Sequence, residues 1–340
     1  MRVCVAGGGL AGSLLAWRLV QRAGTEVDLM TGARPAADAT AASGGAVRAY
    51  ETQPAQRALA IASLTELLAS RTLRQWGDYR ETGFAYLRAP GADLGGALAE
   101  IDRELPGSAE LISPAEAFGA DDGSPAWAGD DSAVVVRERR AGYLSPGRLR
   151  DAVIEDFAAR PGARVRSEAF GAGPGGYDAV VLAAGPWTPR LLAGLGLPAD
   201  GYRTRSIQYT IYQAGPWRPV GFTDDRTGLY GRPASGGGLL LGVPTTEWDV
   251  PPDAAQVTGS WHDQARQRAA DCFPRLKLGR VRQQVAAADC YCDPPILALR
   301  ELTGRELSGQ APRTFTFTGG SGGCVKTALA ASQRAADQLA

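Results

Sequence analysis

The feature that most constrains this chain is the run Gly7-Gly8-Gly9-Leu10-Ala11-Gly12, set between an apolar stretch from Arg2 to Ala6 and an amphipathic one from Ser13 to Ala23. A strand, then Gly-x-Gly-x-x-Gly, then a helix presents free backbone N–H groups to a phosphate at the positive end of the helix dipole. Gly7 makes the tight turn, Gly9 lets a diphosphate approach the backbone, and Gly12 lets the helix pack close on the strand. Ala11, Leu15 and Leu19 share one helix face, Gly24 is expected to cap the helix, and Val27 to Met30 forms the next strand. In this βαβ context the turn predicts a bound dinucleotide. An acidic residue normally takes the adenosine ribose at the end of the second strand. Thr31 stands there and offers one hydroxyl instead of a carboxylate, with Arg34 nearby as either a phosphate contact or a solvated loop charge.

Further along, Pro54 to Leu73 carries a long apolar helical face. From Gly83 to Asp131 periodicity fades into connections rich in Gly, Pro and Asp, such as Ala89-Pro90-Gly91 and Asp121 to Pro125. Regular structure resumes at Val134-Val135-Val136, followed by a helix from Gly147 to about Ala159. Tyr177 to Ala184 reads as a buried parallel strand ending in Gly185-Pro186-Trp187. Arg203 to Gln213 alternates as a strand with Ile207, Tyr209 and Ile211 inward and Gln208, Thr210 and Tyr212 on an exposed face. Gly238 to Val243 and Thr314 to Thr318 are further strands, the last running into Gly319-Gly320-Ser321-Gly322-Gly323 and an alanine-rich helix.

Composition narrows the function classes. Lys plus Arg equals Asp plus Glu at 36 each, which gives no basic excess for nucleic acid or an acidic membrane; a small-molecule partner fits better. A lone histidine, His262, weighs against a Ser-His-Asp hydrolase or a His-ligated metal, and its polar neighbourhood reads as solvated surface at a helix start. Five scattered cysteines are expected to be reduced thiols, and Cys290-Tyr291-Cys292 lacks zinc spacing, so no metal is expected. With neither a leader pattern nor a bilayer-length apolar run, the expected location is cytoplasmic.

Four separated pieces, GGGLAG at Gly7, GYLSPGRL at Gly142, YDAVVLAAGPWTPRL at Tyr177 and TGGSGGCVKTALA at Thr318, together resemble the D-amino-acid oxidase-like FAD oxidoreductases, which include glycine oxidase and monomeric sarcosine oxidase. The resemblance implies an α/β (α+β) fold: a Rossmann-like FAD-binding domain from 1–82, 139–202 and 297–340, interleaved with an antiparallel-sheet substrate domain from 83–138 and 203–296. It places FAD against Gly7, Gly9, Leu10, Ala11, Gly12 and Thr31, against Ser43 and Gly44, against Gly185 and Trp187, and against Gly320, Ser321, Gly322, Gly323, Cys324, Val325 and Lys326.

The implied chemistry is removal of a hydride from the carbon bearing an amine to flavin N5, giving an imine, on an amino acid or related carboxylate-bearing amine. Arg48 and Lys326 match cations that hold the substrate carboxylate, Tyr230 matches a pocket tyrosine, and Arg232 replaces an aromatic residue. That extra arginine suggests a second acidic group on the substrate or a carboxylate held differently; the alternative is a salt-bridged strand-edge residue. Leu240 replaces the lysine that activates oxygen in relatives, which points to slow oxidase chemistry or another electron acceptor. Ala286 stands at the covalent-cysteine position in ungapped alignment, and Cys290 could serve only with a shortened loop, so the resemblance implies non-covalent FAD. Two other readings stay open at this point: a flavin monooxygenase, and a non-catalytic flavin-fold subunit with a partner in a larger oxidase complex.

Overall fold

In the computed structural model the described residues are 1–32, 38–119, 127–130, 132–171, 175–216, 218–302, 312–320 and 322–339. Arg34, Ser321 and the Asp121 to Pro125 loop lie outside them. Two large sheets and one small one organise the chain. The first has six strands in the order Ala298–Glu301, Arg313–Thr318, Ala179–Leu182, Arg2–Ala6, Glu26–Met30 and Ala163–Arg166, all parallel except the first. Its central strands are apolar on both faces: Val3, Val5, Ala179 and Val181 pack against helices on one side, and Cys4, Ala6, Val180 and Leu182 pack against Leu192, Phe170, Tyr177 and Tyr202 on the other. The helix Leu10–Val20 packs on this sheet together with Pro146–Ala158 and Cys324–Leu339.

The second sheet has eight strands, from the edge strand Leu278–Cys292 through Tyr202–Ala214, Gly238–Gly242, Tyr230–Ala234, Gly221–Asp224, Phe84–Arg88 and Val134–Glu138 to Ala109–Ile112. All its pairings are antiparallel except Gly221–Asp224 with Phe84–Arg88. A three-stranded sheet, Ala46–Val47, Gly142–Tyr143 and Arg80–Glu81, joins distant segments. No helix among the described residues is long and apolar enough to cross a membrane.

Several local expectations change. The first helix ends at Val20, and Gly24 instead takes φ +71° in the turn before the second strand. The long helix stops at Ala69; Ser70 leaves helical geometry and accepts a hydrogen bond from Leu73 N–H, starting a second helix, Arg71–Trp76. Within the stretch expected to be connections lie the strands Phe84–Arg88 and Ala109–Ile112 and the helix Gly95–Glu104, which buries Ala97 and Ile101. The two strands are only five and four residues long, and glycine and proline between these elements mask their periods.

The expected exposed face of Tyr202–Ala214 is in fact the more buried one. Helix Gly259–Cys272 covers it, and Gln208, Thr210 and Tyr212 are almost fully enclosed. His262 is therefore buried rather than solvated, with Nδ1 2.5 Å from Thr210 Oγ1. All five cysteines are free thiols.

Candidate functional site

The turn between Ala6 and Leu10 is dictated by close backbone contacts. Gly7 has φ +137°, and a Cβ there would lie 2.1 Å from the carbonyl oxygen of Ala183; a Cβ on Gly12 would lie 2.1 Å from the carbonyl oxygen of Gly7. Only glycine at both places lets the helix start against the strand. Gly9, the N-cap, supplies no side-chain acceptor; of the first turn's N–H groups, that of Leu10 donates to Thr40 Oγ1 at 3.0 Å, which leaves those of Ala11 and Gly12 for a ligand. Thr31 spends its hydroxyl on the carbonyl of Arg166 at 3.2 Å.

This turn opens into a cavity of about 950 Å³ lined by residues of both large sheets. Its size lies near the top of the range of roughly 300–1,000 Å³ usual for small-molecule sites. Gly7, Gly9, Leu10, Ala11, Thr31, Ser43, Gly44, Gly185, Trp187, Gly322, Gly323, Cys324, Val325 and Lys326 all line it. Gly12 packs behind the turn, and Gly320 is likewise not on the wall. The cavity thus runs from the first glycine turn to the last. A helix N-terminus at one end, two glycine turns and a continuous void fit an extended dinucleotide such as FAD.

Arg48, Lys326, Tyr230 and Arg232 line the same cavity. Sequence reasoning did not find the residue that joins the first two. Glu51 Oε1 lies 2.9 Å from Arg48 Nη2 and 2.7 Å from Lys326 Nζ, all three side chains being nearly enclosed. Burial alone would raise the Glu51 carboxyl, but Arg48 and Lys326 reverse this and hold it below its usual range. Burial and the charge of Arg48 lower Lys326, with Glu51 opposing them. When ionised, Arg48, Lys326 and Glu51 sum to one positive charge; a fourth titratable group facing Arg48 is Glu138, whose carboxyl is raised above its usual range by burial. Arg48 is further fixed between the rings of Phe84 and Tyr86, each centroid 4.8 Å from its guanidinium carbon. The buried Glu138 carboxylate accepts the N–H groups of Ala49 and Tyr50 at 2.7 and 2.9 Å, which sets the backbone that carries Arg48.

Tyr230 donates its hydroxyl to the carbonyl of Gln208 at 3.0 Å, and burial raises its phenol above the ordinary range. Arg232 is not a salt-bridged edge residue: it has no carboxylate partner among the described residues, and its contacts are to carbonyls and to the Tyr143 ring. Leu240 lies directly opposite Arg232 in the strand pairing, lines the cavity and is 1 % exposed.

Asp289, also missed from sequence, lines the cavity; its cross-strand neighbour Arg205 turns its guanidinium to the carbonyl of Thr245 and makes no ion pair with it. Burial pushes its carboxyl up to about 6, against a backbone bond from Cys290 N–H at 2.9 Å. Since an unfolded aspartate titrates near ~3.9, folding favours the protonated form. The stability from this group is complete below about pH 4 and is lost as pH rises through about 6. Asp289→Asn, which keeps the acceptor oxygen, is expected to gain about 1–2 kcal/mol at pH 8 and nothing at pH 4, the rise to about 6 being discounted for the open cavity side. Urea unfolding at the two pH values measures it, and equal effects at both would contradict the assignment.

Comparison with known proteins agrees with this geometry. A family model described as FAD dependent oxidoreductase matches residues 2–338. No curated protein matches by sequence. Among solved structures, glycine oxidase from Geobacillus kaustophilus superposes with a TM-score of 0.71 at 20 % identity, covering 99 % of this chain and 95 % of that one. L-proline dehydrogenase from P. horikoshii gives 0.71 at 17 %, covering 99 % and 92 %. Iminodiacetate oxidase from Chelativorans sp. BNC1 gives 0.70 at 16 %, covering 100 % and 95 %.

Proposed function

Because the chain belongs to the FAD dependent oxidoreductase family, we propose that it oxidises the C–N bond of an amino acid or related carboxylate-bearing amine. The observation that carries this reading is that Arg48 and Lys326, two cations sharing the single carboxylate of Glu51, both face the cavity. Such a pair recognises a carboxylate, and the substrates named for the superposing glycine oxidase and L-proline dehydrogenase each carry one. FAD held here would supply the two-electron acceptor for oxidation of the amine to an imine.

In this reading the Gly7 to Gly12 turn, Gly185, Trp187 and the Gly319 to Lys326 segment hold the cofactor. The segments of the six-stranded sheet form the cofactor domain and those of the eight-stranded sheet the substrate domain. Arg48 and Lys326 orient the carboxylate, while Tyr230 and Leu240 close the wall and exclude water. No side chain has to take a proton from an amine that binds in its neutral form. Leu240 offers no charge to stabilise developing superoxide, which favours an electron acceptor other than oxygen.

The test is anaerobic. The purified yellow protein is mixed with amino acids, N-methyl amino acids and cyclic imino acids, and flavin absorbance is followed. Bleaching by a carboxylate-bearing amine is expected, with Arg48→Ala weakening its apparent affinity roughly 10- to 100-fold. Consumption of NADPH with no bleaching by any amine would replace this reading with a monooxygenase.

A further inference from the structure

We propose that Arg232 recognises a second acidic group, so that the preferred substrate is a dicarboxylic amino or imino acid of the aspartate or glutamate type. The inference rests on the reading of the cavity as the site of a carboxylate-bearing amine and deepens it.

The argument is one of charge and geometry. Of the described cations on the cavity wall, Arg48 and Lys326 share Glu51, and Arg150 pairs with Asp38 at 2.8 Å. Arg232 has no carboxylate partner among the described residues. A half-buried cation without a counter-ion is costly to fold, and a protein tolerates one where a ligand supplies the missing charge. Burial depresses its guanidinium, and the electrostatic neighbours that oppose this are the phenols of Tyr143 and Tyr209, not a carboxylate.

Arg232 is also held ready. Its Nε donates to the carbonyl of Gly44 and its Nη1 to that of Pro233 at 2.8 Å, while the guanidinium carbon sits 4.2 Å from the centre of the Tyr143 ring. These bonds use two of the five N–H groups an arginine carries. The remaining donors include one on each terminal nitrogen, the fork that grips a carboxylate in two places.

The same elements anchor this fork to the segment that carries Arg48, and both face one cavity. Gly44, which anchors Arg232, lies four residues before Arg48, and Ala46 pairs with Tyr143 in the small sheet. Arg232 and the Arg48 cluster are thus fixed to one short segment of cavity wall, as two acidic groups of a small molecule require.

The experiment uses the FAD-loaded protein. Anaerobic flavin reduction is measured with aspartate, glutamate and N-methylaspartate against alanine, sarcosine and proline, in the wild type, Arg232→Ala and Arg232→Lys. In parallel, the absorbance of the oxidised flavin is titrated with succinate, glutarate and acetate, which are not oxidised. The wild type is expected to bind the dicarboxylic compounds roughly 10- to 100-fold more tightly than the monocarboxylic ones. Arg232→Ala is expected to abolish that preference by weakening dicarboxylic binding far more than monocarboxylic binding, and Arg232→Lys to restore part of it.

Equal affinity for the two classes in the wild type overturns the proposal, and so does a variant that weakens both equally. If Arg232→Ala does not fold, the wild-type titration still decides. If no amine reduces the flavin but the dicarboxylates bind selectively, the oxidation reading fails while the role of Arg232 stands.

Discussion

Gly12→Ala is expected to yield a protein that is purified without yellow colour, its affinity for FAD reduced by roughly 10- to 100-fold. The added methyl group would stand 2.1 Å from the carbonyl oxygen of Gly7 and 3.0 Å from the Ala183 side chain. The nearer atom belongs to backbone and cannot rotate away. Either the helix Leu10–Val20 lifts from the strand Arg2–Ala6 or the turn between them opens. Both movements displace the N–H groups that would meet the diphosphate, and overpacking of this kind costs about 1–3 kcal/mol even where the surroundings adjust. Fluorescence titration of the apoprotein with FAD measures the loss. Gly147→Ala is a suitable control, since a methyl group there meets nothing within 4 Å. Retention of wild-type affinity in Gly12→Ala would mean that the turn is not the diphosphate site.

The second large effect is expected from Glu51→Ala. Removing this carboxylate leaves Arg48 and Lys326, both nearly enclosed, facing each other without the anion they share. Breaking a buried ion pair from one side typically costs about 3–5 kcal/mol, because the remaining charges keep their desolvation penalty and lose its compensation. The unfolding midpoint in urea should fall accordingly. With Glu51 gone, the burial and the Arg48 charge that already lower Lys326 act unopposed, so the lysine sheds its proton more readily. The flavin spectrum of the loaded variant should then change with pH in a way the wild type does not. Glu51→Gln, which keeps the shape, separates lost charge from lost packing: a loss as large as that of Glu51→Ala identifies charge as the cause. A midpoint within experimental error of the wild type in both variants would refute the shared-anion description.

The parts of the fold that are legible in the sequence are those whose physics is local. A glycine turn between an apolar strand and an amphipathic helix declares itself, as do Tyr177 to Trp187 and the final glycine turn, because each is a short segment whose residues meet one another. Arg48 and Lys326 could be picked out by resemblance. That they meet at Glu51 could not, since the meeting depends on helix Cys324–Leu339 packing beside the segment that follows Ala46–Val47. Glu51 stands three residues from Arg48, and nothing in that spacing distinguishes an internal counter-ion from a surface charge.

His262 failed for the same reason: polar residues around it suggested water, while helix Gly259–Cys272 lays it against Thr210. The alternation in Tyr202–Ala214 was readable, but which face is covered depends on that helix and on the cavity. Asp289 has no sequence signal at all; its high proton affinity comes entirely from the surroundings that the fold creates.

The strand order of the six-stranded sheet also bears on how the molecule is made. Arg313–Thr318 lies inside that sheet, beside Ala179–Leu182, and the helix after it packs against the helices Leu10–Val20 and Pro54–Ala69. A nascent chain emerging from the ribosome therefore holds its first glycine turn, its central strands and most of the cavity wall well before the segment carrying Lys326 exists. Until then Glu51 lacks one of its two cations and the sheet is missing an interior strand. Cofactor capture must therefore wait for that segment, and fragments cut short ahead of the helix Cys324–Leu339 should be substrates for chaperones and proteases rather than slow enzymes.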